Sequence, residues 1–194
     1  MSVPSDLPVI AFVGVKRIAR APLLRALPAI HAAAAAGEGP LVFNLVDGRP
    51  VDLDLRGDLG EARVRLGPPL MEVEKRGPGR PKLGVTAREV TLLPRHWDWL
   101  AAQPGGVSVA LRKLVEAQMK VGEGPDRARR AKETAYRFMT AMAGDLPGYE
   151  EATRMLFAGD WTAFDAAVER WPEGVRETAR EMAAGAWRNG ASQA

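Results

Sequence analysis

Leu41-Val42-Phe43-Asn44-Leu45-Val46, then Asp47-Gly48-Arg49, then Pro50-Val51-Asp52-Leu53-Asp54-Leu55 is the stretch whose reading decides the fold class. Two apolar runs flank a turn-forming Asp-Gly, which is the pattern of a β-hairpin. A two-residue loop would set Phe43 opposite Asp52 and Leu41 opposite Asp54. A three-residue loop of Asp47, Gly48 and Arg49 instead pairs Leu45 with Val51, Phe43 with Leu53 and Leu41 with Leu55. It also turns Asn44, Asp52 and Asp54 to water, so the three-residue loop is expected. Asp52 and Asp54 then share a face. No histidine or third carboxylate at ligand spacing joins them, and they read as the outer face of a half-buried strand.

On the N-terminal side, Val9-Ile10-Ala11-Phe12-Val13 is an apolar run of β type. Pro22 to Ala36 is helical in composition, with Leu23, Leu27, Ile30 and Ala34 on one stripe. Pro28 should kink that helix or mark a restart, and Gly37-Glu38-Gly39-Pro40 ends it. Residues 1–66 thus read as a small α+β domain.

On the C-terminal side, residues 67–87 read as a basic linker. Its centre is Lys75-Arg76-Gly77-Pro78-Gly79-Arg80-Pro81-Lys82, four cations among glycines and prolines. Proline removes donors and fixes φ, so such a peptide is extended and narrow. It suits a phosphate backbone or a minor groove, where a helix is too thick. The charge distribution agrees. Residues 1–74 carry 8 Lys/Arg and 9 Asp/Glu, residues 75–130 carry 12 and 5, and residues 131–194 carry 7 and 10. A net +7 between acidic flanks is the footprint of a polyanion partner.

Residues 88–122 read as a strand and two helices. Arg88-Glu89-Val90-Thr91-Leu92-Leu93 is of β type and ends at Pro94, which suits the first turn of a helix over Arg95 to Gln103. Trp97, Leu100 and Ala101 lie on one face of that helix. Pro104-Gly105-Gly106 ends it, and Ser108 can cap the next, which carries Leu111, Leu114, Val115 and Gln118-Met119 to about Lys120. Residues 123–194 read as a helical tail. Its apolar positions are Ala131, Ala135, Phe138, Met139 and Met142, then Trp161, Phe164, Val168 and Trp171, then Val175, Ala179, Met182 and Ala186. Gly159 stops one tail helix, Asp160 caps the next, and Pro172 opens the last.

With no cysteine, the chain has no disulfide, thiol nucleophile or cysteine-held zinc. That absence, an N-terminus without a signal-peptide pattern and the lack of a membrane-length apolar run make a soluble cytoplasmic protein the expectation. The two histidines, His31 and His96, do not form a catalytic constellation. No phosphate-binding loop, dinucleotide fingerprint or metal-ligand spacing is present, so no enzyme activity, metal or cofactor is expected.

Three resemblances follow from these residues. Gly79-Arg80-Pro81-Lys82 resembles the second half of an AT-hook; Pro78 stands where the motif has its first arginine, which implies phosphate-dominated binding rather than clean A·T selectivity. The segment from Arg88 to Lys120 is similar to a ribbon-helix-helix unit, whose strands pair between two subunits and enter the major groove. The resemblance implies a homodimer through the 88–94 strand, although the same run also suits a strand of the N-terminal sheet. Nearly the whole chain resembles an uncharacterised bacterial family, domain of unknown function 2239. The carrying residues are Val51 to Gly57, Gly79 to Val85, Arg88 to Trp97, Tyr136-Arg137-Phe138-Met139 and Ala143 to Gly148.

The resulting expectation is an α+β chain that binds DNA, as a bacterial transcriptional regulator or a nucleoid-type binder. Lys75, Arg76, Arg80 and Lys82 would hold the backbone or minor groove. Arg88, Thr91, Arg95, Ser108, Arg112 and Lys113 would form the folded contact surface. The competing reading is a non-catalytic protein–protein module whose basic centre docks an acidic partner.

Overall fold

The computed structural model describes residues 3–67 and 88–187. They fall into two units, Met1–Glu72 with Asp126–Ala194, and Val73–Pro125. The class is α+β, with one three-stranded antiparallel sheet and, among the described residues, a majority of helix.

The sheet is built from β1 (Pro8–Val13), β2 (Lys16–Pro22) and β3 (Leu41–Asn44), in the order β2-β1-β3. Val9, Ile10, Ala11 and Phe12 are all fully buried, so the central strand is covered on both faces. That is why its sequence is a continuous apolar run rather than an alternation. Val9 and Ala11 face α1 (Leu23–Ala35), where Leu23, Ala26 and Ile30 complete one core together with Val42. Ile10 and Phe12 face the other way, onto the C-terminal helices.

That second core joins the two ends of the chain. Phe12 and Phe43 from the sheet meet Phe138 of α4 (Val107–Ala143), with ring centroids 5.7 Å and 5.3 Å from Phe138. Around these rings pack α5 (Tyr149–Ala158), α6 (Trp161–Val168) and α7 (Glu173–Ala183), through Leu156, Phe164, Val168, Val175 and Ala179. Segments 1–66 and 123–194, separate in the sequence reading, contribute to this single core. Edge-to-face aromatic pairs add about 0.5–1.5 kcal/mol each beyond the area they bury. Two ion pairs, Arg17–Glu177 and Arg20–Glu181, tie β2 to α7, each at 3.1 Å.

The hairpin expectation needs correction. β3 pairs with β1, Ile10 opposite Phe43, and beyond the turn only an isolated bridge, Phe43 to Pro50, remains. The turn is closed by Asn44 N donating to Arg49 O at 2.9 Å, which makes it longer than the expected three residues. Pro50 brings no N–H to a ladder, so the second run continues irregularly. Packed and exposed residues still alternate along it, but on the other face from the one expected: Phe43 and Leu45 belong to the core with the C-terminal helices, and Leu41 is exposed. Val51, Leu53 and Leu55 pack against the α1 side of the sheet, while Asp52 and Asp54 are exposed.

The turn itself is fastened to α4. Thr134 Oγ1 donates to Val46 O at 3.3 Å, and Arg137 Nη1 donates to Asp47 O at 2.9 Å. Gly48 sits between them with φ +72, against the backbone of Thr134.

Several helices end where the sequence indicates. Gly159 caps α5 with φ +81, and Asp160 accepts from Ala163 N at 3.0 Å to cap α6. Pro28 lies on the exposed side of α1, which continues through it without restart. The short α2 (Leu59–Val64) starts at a capping box of Asp58 and Glu61. Nor does Gly122-Glu123-Gly124-Pro125 end a helix: α4 is one element across the boundary expected there.

Both Gly14 and Gly48 have positive φ, but a β-carbon at Gly14 meets nothing within 4 Å, whereas at Gly48 it runs into the Thr134 carbonyl. Gly14→Ala should therefore cost only the left-handed penalty, roughly 1–2 kcal/mol. Gly48→Ala should add about 1–3 kcal/mol of overpacking to that. Urea unfolding of the two variants measures the difference.

Candidate nucleic-acid interface

Within the second unit, residues 88–93 lead into α3 (Pro94–Ala101) and form no strand within this chain, so the alternative of a strand of the N-terminal sheet is not met. No backbone ladder partner exists for them among the described residues, and they are not part of the sheet. Leu93 is in extended conformation and its carbonyl accepts from His96 N at 2.8 Å. Pro94 then opens the helix without a donor to waste. Gly105 and Gly106 turn the chain with φ of +90 and +78, and α4 follows at once.

Ser108 is therefore the second residue of α4 and not its cap, because Gly106 already supplies the carbonyl that accepts from Ala110 N at 3.0 Å. The amides of Val107 and Ser108 find no carbonyl among the described residues, as expected of a first helical turn. Arg112 lies one turn after Ser108 on the same face. Free amides, a hydroxyl and a guanidinium in that order favour an anion.

Every described residue of the expected contact surface is exposed: Arg88, Thr91, Arg95, Ser108, Arg112 and Lys113. Lys75, Arg76, Arg80 and Lys82 lie outside the described residues. Among the described residues Arg88, Arg95, Arg112 and Lys113 form no ion pair, although Glu89, Asp98 and Glu116 lie in the same stretch. Arg95 makes one long contact, Nε to His96 Nε2 at 3.5 Å.

The first unit treats many of its arginines differently. Arg154 pairs with Glu151, Arg137 with Glu133, and Arg129 with Asp126. Arg180 bridges Asp165 and Glu169, both at 2.6 Å, and Arg176 reaches Glu169 at 3.5 Å. Hydrogen bonding from Arg180, with the nearby charge of Arg176, holds the Glu169 carboxyl below its ordinary value.

The Asp52–Asp54 face is not a free carboxylate pair. Arg56 donates to both oxygens of Asp54, at 2.9 and 2.7 Å, and holds its carboxyl far below the usual range; Arg65 lies at 3.6 Å. Asp52, Asp54 and Arg65 border a cavity of about 240 Å³ also lined by Leu27, Leu53 and Leu55. His31, on α1, spends its Nε2 on Gly57 O at 3.0 Å, so it fastens the helix to the irregular run. Among the described residues no group of three His, Asp or Glu side chains is placed to hold a metal ion. Nor is any described helix long and apolar enough to cross a membrane.

A family model described as an uncharacterized protein conserved in bacteria (DUF2239) matches residues 8–183. The chain belongs to this family. The match runs through both units, from β1 to the last residue of α7. No curated protein and no solved structure matched the chain.

One feature escaped the sequence reading. Trp99 is half exposed, and it borders an apolar cleft with Leu92, His96, Leu100, Leu111 and Leu114. The available signal was the apolar stripe of α4, which reads as core but is largely open here.

Glu169 and Asp54 both bind their protons more weakly in the folded chain than in the unfolded one. Their stabilisation is therefore complete above the unfolded values, 4.5 and 3.8, and is lost as pH falls below these toward the folded values. Urea midpoints should hold between pH 7 and about pH 5 and decline below that. Glu169→Gln should lower the midpoint at pH 7 and flatten part of the acid decline.

Proposed function

We propose that this chain binds duplex DNA without catalysing a reaction, gripping phosphates with the cations of its second unit. The observation that carries the reading is the contrast in pairing. Arg88, Arg95, Arg112 and Lys113 are exposed and have no carboxylate partner among the described residues, while arginines of the first unit such as Arg180 and Arg154 are neutralised in place. Duplex DNA holds a condensed atmosphere of small cations, and a protein cation that neutralises a phosphate releases them with a gain in ion entropy. The start of α4, with open amides beside Ser108 and Arg112, adds a phosphate seat of the kind helix N-termini provide.

The side chains in question determine what kind of binding to expect. Arg88 and Thr91 are the only polar, non-acidic groups on the extended run, which limits base-edge reading. Phosphate contact thus dominates, and the role fits a nucleoid-type binder or a regulator of loose sequence preference.

Fluorescence anisotropy with A·T-rich and G·C-rich duplexes across a salt series tests this. Affinity should fall with log–log slope of about −0.9 per phosphate engaged. Replacing Arg112 and Lys113 with Ala should weaken both duplexes alike and make the slope shallower by about 1 per cation. Arg80→Ala with Lys82→Ala should act in the same direction. Arg154→Ala, which removes a paired arginine of the first unit, should change nothing. Absence of duplex binding at low salt would overturn the proposal and favour an acidic protein as the partner of these cations.

A further inference from the structure

We infer that α4 is a jointed helix: it opens at residues 122–125 into two helices that turn independently, and the continuous form is one of two states of the chain in solution. The inference goes beyond DNA binding and does not depend on it. Within four residues the helix carries Gly122, Gly124 and Pro125. Relative to alanine, a glycine lowers the weight of the helical state about fivefold and an interior proline about a hundredfold. Pro125 has no N–H for the carbonyl four residues before it, and its ring crowds that carbonyl. The two compact units divide at the same place, between Pro125 and Asp126.

Packing does not offset these defects. Among the described side chains between Ala110 and Thr134, none is buried. Helix α1 makes the contrast. It too has an interior proline, Pro28, but Leu27 and Ile30 beside it are buried, Ile30 in the core under the sheet. Tertiary contact holds α1 through its proline, and nothing comparable holds α4. The ion pair of Asp126 with Arg129 lies wholly on one side of the joint and cannot bridge it. The open form is also capped at both of its new ends. Gly122 suits the left-handed residue that ends a helix, and Gly124 suits an N-cap. Pro125 at the first helical position loses no hydrogen bond, and Asp126 beside it meets the positive end of the helix dipole. The residues that weaken the long helix therefore stabilise two shorter ones. The later helix stays fixed through Ala135, Phe138 and Met139, so opening leaves the core of the first unit intact.

The chain has no cysteine, so spin labels placed by Glu116→Cys and Arg130→Cys report on α4 alone. Both positions are exposed. In a continuous helix their α-carbons lie about 21 Å apart. Pulsed dipolar spectroscopy of the full chain without DNA should give a broad distribution that reaches distances shorter than the straight helix allows. Gly122→Ala, Gly124→Ala and Pro125→Ala together should collapse it to one narrow peak. The same variant should slow amide hydrogen exchange at Asp126 and Arg127, which lose their acceptors on opening, by about tenfold or more. Pro28→Ala, at the proline that packing holds, should leave the distribution unchanged. Should the triple variant fail to fold, Pro125→Ala alone, at an exposed position, serves instead and should narrow the distribution in part. A single narrow peak at the straight-helix spacing in the parent chain overturns the inference. So does a broad distribution that the alanine variants leave unaltered. A rigid α4 would leave the DNA proposal standing, and a chain indifferent to duplex would leave the joint standing.

Discussion

The contact of Phe12 and Phe43 with Phe138 is the constraint on which the first unit rests. It brings a strand near the start of the chain and a helix from its second half into one core, with ring centroids 5.3 to 5.7 Å from Phe138. Because Phe12 and Ile10 must face these helices while Val9 and Ala11 face α1, the central strand is buried on both sides. No polar residue is tolerated along it. The turn from Asn44 to Arg49 is then positioned by Phe43 on one side and by Thr134 and Arg137 on the other, which forces glycine at position 48. Loss of the ring contact would release sheet, turn and helices together, since each uses the others as its covering layer.

Electrostatics divides the molecule along a different line. In the first unit many carboxylates and guanidiniums are matched across elements: Arg17 to Glu177, Arg20 to Glu181, Arg180 to Asp165 and Glu169. Exposed pairs of this sort add little stability singly, but they cancel the local field. The described cations of the second unit have no such match. Its positive potential is therefore not cancelled locally, and its apolar stripe stands open nearby.

Much of this was legible residue by residue. Pro94 opening α3, Gly159 closing α5 and Asp160 capping α6 each follow from which backbone groups a helix end leaves free. The alternation from Val51 to Leu55 separated packed from exposed residues although no strand forms there, but it put Leu53 on the side of Phe43, and the two belong to opposite cores. The Asp58 and Glu61 spacing carried a start signal for α2 that a strand-minded reading passed over. Other features were not local. β2 has charges and alanines in place of an alternating pattern, and a bulge at Ile18 shifts its register, so its identity as a strand depends on β1 beside it. Gly122 to Pro125 carries every mark of a break, yet α4 continues through it. The six described candidate residues are exposed as expected, but only coordinates reveal that their cations lack carboxylate neighbours.

The sequence by itself determined the α+β class, many helix limits and the concentration of positive charge in the middle third. These are properties of near neighbours: propensity, capping and periodicity act over a few residues, and charge is additive along the chain. Tertiary structure alone decided that β3 pairs with β1 rather than with the run after its turn, that the two ends of the chain share one core, and which arginines are neutralised. The longest-range of these meetings join groups more than a hundred residues apart, Phe12 to Phe138 and Arg17 to Glu177. Many partners suit such a meeting locally, and the choice among them falls to packing of the whole unit.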